Sequence, residues 1–296
     1  MDERGENLAS LVATMRERAY RFVLDIGTKS GDFSSRLKSA REASGPAGLP
    51  EFLHFSCGLW PDSDTIADRG ASLAALESDV VEMLNLARSR AKENSADRAY
   101  AALGECGLDR YWNGSAAAER IAALKAGEMA AGDDGPGTTD LAGEEELFGA
   151  QLELAKKYSL PVIVHSRDAF DATLGCIRNA SYDSGVIHCF SYGKDEARAF
   201  LDRGWHISFP GNITWAKKEA DRERIASLVR YVPRDRLLLE TDAPYLTPAP
   251  HRGKTNTPLL IEHTYARAAE ILGLDVASLA ALVEANAREL FTIAPQ

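Results

Sequence analysis

Two histidines, a glutamate and an aspartate stand at the ends of four separate strand-like runs. These are Ala101-Ala-Leu-Gly-Glu105, Pro161-Val-Ile-Val-His165, Gly185-Val-Ile-His188 and Leu237-Leu-Leu-Glu-Thr-Asp242. A polar residue closing a buried apolar strand adds nothing to packing. Imidazole and carboxylate gathered in one place suit a borderline or hard divalent cation. A cation so held activates water for hydrolysis. The expected metal ligands are therefore Glu105, His165, His188 and Asp242, with a positioning scaffold that must bring distant strand ends together.

The sequence between these runs supplies that scaffold. Helical periodicity is expected over 8–20, 33–43, 66–91, from 116, and over 144–158, 169–177, 195–203, 216–231, 259–272 and 276–285. Strands are expected to begin near Phe22, Phe52, Ala101, Val162, Gly185, His206 and Leu237. Their apolar residues run on without alternating, the mark of strands buried on both faces of a parallel sheet. An open doubly wound sheet would carry a Gly-rich nucleotide loop after an early strand, and none is present. Ligands spread from mid-chain to the end favour an α/β fold of the TIM-type (β/α) barrel class, whose strand C-terminal ends ring one pocket. Seven strands are one short of the usual eight, and the chain opens on a helix, so the barrel is expected to lack its first strand. At 296 residues the chain suits a single domain over 1–296, since such barrels run to ~250 residues. Residues 127–143, rich in Gly, Asp and Thr, are expected to be a flexible surface insertion.

Composition narrows the function. A formal charge of −10 excludes a protein that holds nucleic acid on a broad basic surface. It leaves room for a nuclease in which metal ions and a few local Arg and Lys neutralise phosphate. No apolar stretch approaches the ~18 residues of a membrane helix, and the polar start Met1-Asp-Glu-Arg-Gly-Glu does not read as a secretory signal, so a cytoplasmic location is expected. Cys57, Cys106, Cys176 and Cys189 are scattered without a CxxC pair, which argues against a disulfide framework or a cysteine zinc site. Cys106 and Cys189 each follow an expected ligand, and strand alternation would turn both toward the helices.

Several strings together carry a family signature. Gly104-Glu-Cys-Gly-Leu-Asp109, Val164-His-Ser-Arg-Asp168, His188-Cys-Phe-Ser191 and Leu239-Glu-Thr-Asp-Ala-Pro-Tyr245 resemble the TatD-type metal-dependent hydrolases. Pro250-His-Arg-Gly-Lys254, Asn256, Pro258 and Asn286-Ala-Arg-Glu-Leu-Phe291 extend the match, which covers the chain from about Phe22 onward. The resemblance implies a TIM-type barrel and metal-dependent hydrolysis, commonly of DNA phosphodiester bonds by metal-activated water. It implies that Glu105 bridges two metals and that His165 and His188 hold one of them. Asp242 would hold the other or orient the attacking water, and in the mechanism expected for the intact site it is the catalytic base that accepts the water's proton. Divalent Mg, Mn or Zn, one or two per chain, is the implied cofactor, and DNA or another nucleic acid the implied partner.

Two departures stand out. The family also uses a His-x-His pair on its first strand, and no two of the six histidines here are two apart. Gly58-Leu-Trp-Pro-Asp-Ser63 stands where the family often shows Gly-Ile-His-Pro-His, so Trp60 and Asp62 replace two histidines. A truncated start or a true loss both account for the missing pair. The first is favoured, because losing one barrel strand leaves two unpaired edges. Reduced activity is expected of the chain as it stands.

Other polar residues have competing readings. Arg167 either contacts phosphate or pairs with Asp168 or Asp109. His251 and Arg252, on the loop after the last strand, are expected to bind substrate, with a solvated loop as the plain alternative. Glu240 should face away from Asp242 or pair structurally. Tyr111 and Trp112 pack over the barrel mouth or stack a base. Asp25, His54, His206 and His263 read as structural. The function expected is thus a deoxyribonuclease. The alternatives are hydrolysis of another ester or amide bond, such as aminoacyl-tRNA, and a non-catalytic scaffold that has lost a metal position.

Overall fold

The structure, a computed structural model, describes residues 7–93, 98–126 and 137–293. All seven expected strands are present: β1 (Val23–Asp25), β2 (Leu53–Cys57), β3 (Ala99–Asp109), β4 (Val162–Arg167), β5 (Gly185–Ile187), β6 (His206–Phe209) and β7 (Leu237–Leu239). They follow the sheet order β1-β2-β3-β4-β5-β6-β7, and a two-residue strand, β8 (Thr292–Ile293), pairs antiparallel with β3. Helices separate the strands, and the fold is α/β of the TIM-type barrel class. By internal packing the chain divides into two compact units.

One unit comprises Leu24–Ser34, Phe55–Gly185 and the residues from Phe291. Here β2, β3 and β4 are parallel, with Phe55 opposite Ala101 and Gly107 opposite His165. Helices α3 (Ser63–Ala67), α4 (Arg69–Glu93), α5 (Ser115–Ala126), α6 (Leu141–Tyr158) and α7 (Phe170–Ala180) belong to it. Helix α6 buries Leu147, Phe148, Gln151, Leu152 and Ala155 in one stripe at helical spacing. It starts at Leu141, three residues before the expected start at 144. The Asp140 carboxylate caps it by accepting from the Gly143 N–H at 2.9 Å. Residues 127–136 of the expected insertion lie outside the described residues.

The other unit is built from residues up to Val23 with Ser35–His54 and Val186–Leu290. Its strands β6 and β7 are parallel, with Ile207 opposite Leu237, and Val186 of β5 lies opposite His206. Around them lie α1 (Leu8–Glu17), α2 (Phe33–Ser44), α8 (Lys194–Leu201), α9 (Glu219–Tyr231), α10 (Ile261–Leu272) and α11 (Val276–Phe291). Leu11, Val12 and Met15 of α1 form a small core against Leu8, Tyr20, Val23, Ala43, Phe52 and Leu259. Among the described residues no helix is long and apolar enough to cross a membrane.

Candidate metal centre

Strands β3 and β4 carry two of the expected ligands, and neither closes its strand. β3 runs four residues past Glu105 to Asp109, and β4 runs two past His165 to Arg167. The β3–β4 register shifts between Leu103 and Cys106, a bulge that re-aims Glu105. Glycine permits it: Gly104 and Gly107 sit at φ 140° and 147°, and a Cβ on Gly107 would fall 1.9 Å from the His165 carbonyl.

The result is a tight carboxylate–imidazole–carboxylate row. His165 Nδ1 lies 3.0 Å from Glu105 Oε1, and its Nε2 lies 2.9 Å from Asp109 Oδ2. Asp109 is 1% exposed, and its second carboxylate oxygen accepts the Trp112 N–H at 2.9 Å. The Asp109 N–H donates to Glu144 Oε1 at 2.8 Å, and Asn113 Nδ2 donates to the same oxygen at 2.7 Å. Arg110 Nη1 stands 2.9 Å from the other Glu144 oxygen. Burial raises the Glu144 carboxyl above its ordinary value, against the lowering effect of those N–H donors and Arg110. A histidine with one nitrogen fixed on a buried carboxylate presents the other to a metal in a set orientation.

His188, Cys189 and Asp242 form a second group. Their ligand atoms all lie within 4.8 Å of one another. His188 directly follows β5, and Asp242 stands three residues past β7. Cys189, expected to pack toward the helices, joins this group instead. Its φ of 47° breaks the strand alternation on which that expectation rested. Asp242 takes the same left-handed backbone, φ 48°. Cys106 does pack inside, with Sγ 3.8 Å from the Ile163 carbonyl, and burial pushes its thiol far up.

Two residues fasten the second group. Glu240 Oε1 accepts the Cys189 N–H at 2.6 Å and lies 3.8 Å from His188 Nδ1, so Glu240 pairs structurally beside the ligands. Asn256, fully buried, grips the loop after β7: its Nδ2 donates to the carbonyls of Thr241 and, at 2.6 Å, Tyr245. Imidazole, thiol and carboxylate donors within this reach fit a divalent transition metal, as do the imidazole and carboxylate of His165 and Glu105.

The two replaced histidine positions have other work. Trp60 packs edge-on to the His165 ring, centroids 5.9 Å apart. Its loop is clamped by the buried Gln151 amide, which bonds both the N–H and the carbonyl of Leu59. Asp62 is the N-cap of α3, accepting from the N–H groups of Asp64 and Thr65 at 3.0 and 2.9 Å.

Of the expected substrate contacts, Arg167 is exposed and lays its guanidinium 3.8 Å over the Tyr111 ring. Arg252, also exposed, covers Trp215 at 4.3 Å. The His251 ring stands 4.9 Å from that of His263. His54 packs on Phe22, and His206 is buried. Asp109 and Asn256 support the candidate ligands and are residues that reading for ligands passes over, whereas Glu240 pairs structurally as expected. For Asp109 a signal existed: two and four residues after Glu105, Gly107 and Asp109 share its strand face.

Known proteins resemble this chain. Residues 2–292 match the family described as TatD related DNase. The uncharacterized metal-dependent hydrolase YcfH of Escherichia coli K12 is 31% identical over 259 residues, 83% of this chain and 80% of that protein. The 3'-5' ssDNA/RNA exonuclease TatD of Salmonella typhimurium is 32% identical over 199 residues, 65% of this chain and 66% of that protein. The crystal structure of YJJV, a TatD homolog from Escherichia coli, superposes with a TM-score of 0.65 at 25% identity, covering 91% of this chain and 86% of that one. The chain belongs to the TatD family of metal-dependent hydrolases.

Proposed function

We propose that the protein is a nuclease that hydrolyses DNA phosphodiester bonds with a divalent cation held by Glu105, His165, His188 and Asp242. The observation that carries this reading is the donor chemistry of the two groups. Glu105 and His165 meet at 3.0 Å on β3 and β4, and His188 and Asp242 meet with Cys189 beyond β5 and β7. In a TIM-type barrel the C-terminal ends of the strands share one face, which supports a common cation. A cation bound there would polarise the phosphoryl oxygen and lower the pKa of a bound water.

The chain's own residues supply the rest. Asp109 keeps the Nε2–H of His165 engaged, so that Nδ1 offers its lone pair beside Glu105. Glu240 holds the Cys189 main chain and thereby the turn after His188. Asp242, fixed by Asn256 through its loop, is the group that takes the proton from the attacking water. Arg167, His251 and Arg252 are assigned to substrate phosphate. The relative described as a 3'-5' ssDNA/RNA exonuclease supports a nucleic-acid substrate.

The test is cleavage of an end-labelled single-stranded oligonucleotide by chelator-stripped protein resupplied with Mg²⁺, Mn²⁺ or Zn²⁺. Cleavage should require added metal, and His188→Ala should lose both bound metal and cleavage. Hydrolysis of aminoacyl-tRNA but not DNA under the same metals would replace this substrate with an ester. Undiminished cleavage by stripped protein would overturn the metal reading.

A further inference from the structure

Beyond β5 and β6, on the unit that carries His188 and Asp242, the loops and the start of α9 enclose a groove of ≈ 530 Å³. That size lies within the ~300–1,000 Å³ of ligand sites. Strands β5, β6 and β7 are parallel, so this groove opens at the end of the strands from which His188 and Asp242 emerge. Phe190, two residues after His188, is among its lining residues.

The groove combines three features. Its floor is aromatic and rigid: Phe190 and Phe209 are buried and meet edge to face at 6.4 Å. Its wall includes the Trp215 indole, fixed by a hydrogen bond from Nε1 to the Thr247 carbonyl at 2.8 Å and covered by the Arg252 guanidinium. Its rim carries exposed Lys217, Lys218 and Arg224, with Asp221 as its acidic member. The main chain beneath the lysines is held in place, since Arg222 bonds the carbonyls of Ala216 and Lys217. Three cations against one acid, with Arg252 adjacent, stand out on a chain whose net charge is −10.

Aromatic faces interleaved with cations are how proteins hold a single strand: bases stack and phosphates pair, with little regard for sequence. A duplex keeps its bases stacked on each other and gives the aromatic wall nothing to bind. We infer that this groove is a subsite for single-stranded nucleic acid, with a base against Trp215 and neighbouring phosphates on Lys217, Lys218 and Arg224, leading away from the bond to be cleaved. The assignment of cleavage rests on the nuclease reading above; the strand-binding assignment does not.

Binding is therefore measured on the full chain with metal chelated, by fluorescence anisotropy of a labelled ten-residue oligothymidylate over a range of salt. Trp215→Ala should raise Kd by roughly 5–150-fold, the value of one stacked base, and Trp215→Phe should restore most of it. Lys217→Ala with Lys218→Ala should lower the slope of log K against log salt by about 1.4, near 0.7 for each lost phosphate. Lys38→Ala on α2 is the control for net charge. Thermal melts confirm that each variant folds. Unchanged Kd and salt slope in the folded groove variants, or a duplex bound as tightly as the single strand, would overturn the subsite. Strand binding that maps to the groove without cleavage under any metal would sink the nuclease reading and leave the subsite standing.

Discussion

Replacing Asp109 with asparagine separates orientation of His165 from mere support of the fold. The carboxylate serves two donors at once: Oδ1 takes the Trp112 N–H at 2.9 Å and Oδ2 the His165 Nε2–H at 2.9 Å. An amide has only one oxygen, so one of these donors must lose its acceptor. If the oxygen stays on the Trp112 main chain, the new NH2 group faces Nε2. The imidazole can accept from it by moving its own proton to Nδ1, the nitrogen 3.0 Å from Glu105. If the oxygen turns to His165, the NH2 group opposes a fixed main-chain N–H that cannot change character. That second state leaves a donor unsatisfied at about 1–3 kcal/mol. The first therefore wins, and it costs the ligand nitrogen.

The expected loss is 10–100-fold in metal affinity, or about 1.4–2.8 kcal/mol, the range for removing the outer partner of a metal-binding histidine. Chelator competition measures it, and a thermal melt of the metal-free protein should show a much smaller change. ¹⁵N NMR of the metal-free variant should show a His165 Nε2 without a proton, since the new NH2 group takes the place of the Asp109 oxygen 2.9 Å away. A folded Asp109→Asn protein with wild-type metal affinity and an unshifted His165 Nε2 resonance would refute the reasoning. It would mean that Asp109 shapes the loop at Trp112 and nothing more.

Three further outcomes are expected. Glu144→Gln keeps the acceptor oxygen for Asp109 and Asn113 while removing a carboxyl whose folded-state pKa burial raises above 4.5. A raised carboxyl contributes stability below its unfolded value and loses it as pH rises through the folded value, so unfolding curves of wild type should fall relative to Glu144→Gln as pH climbs from about 4.5. Asp62→Ala removes the cap of α3 and should cost about 1 kcal/mol of stability, with metal affinity unchanged. Asn256→Ala strips donors from the carbonyls of Thr241 and Tyr245; a loss of about 1–3 kcal/mol in chemical denaturation should come with weaker metal binding, because the same loop holds Asp242.

The strands were legible because each contains a short apolar run that burial on both faces leaves unbroken, most of them with a glycine or proline close by. Helix starts were less so. Asp140 caps α6 ahead of Leu141-Ala-Gly143, and that glycine-bearing turn reads as loop until the cap is recognised. The extension of β3 past Glu105 was hidden for a related reason. Gly104 and Gly107 look like strand terminators, yet at positive φ they let the strand bulge and continue against His165.

The candidate ligands stand out in the sequence because a charged or imidazole group beside an apolar strand has no structural motive. Their supports do not, because each has one. Glu240 can be explained as an ordinary pair and Asn256 as a turn residue, and only the partners show that one holds Cys189 and the other the Asp242 loop. Trp60 and Asp62 make the converse point. Read against the family pattern they are two missing ligands. In the structure one packs on His165 and the other caps a helix, so both positions are filled by groups with local roles. Restoring histidine at either position would have to displace an indole from the His165 ring or uncap α3, and so would not by itself rebuild a second metal position.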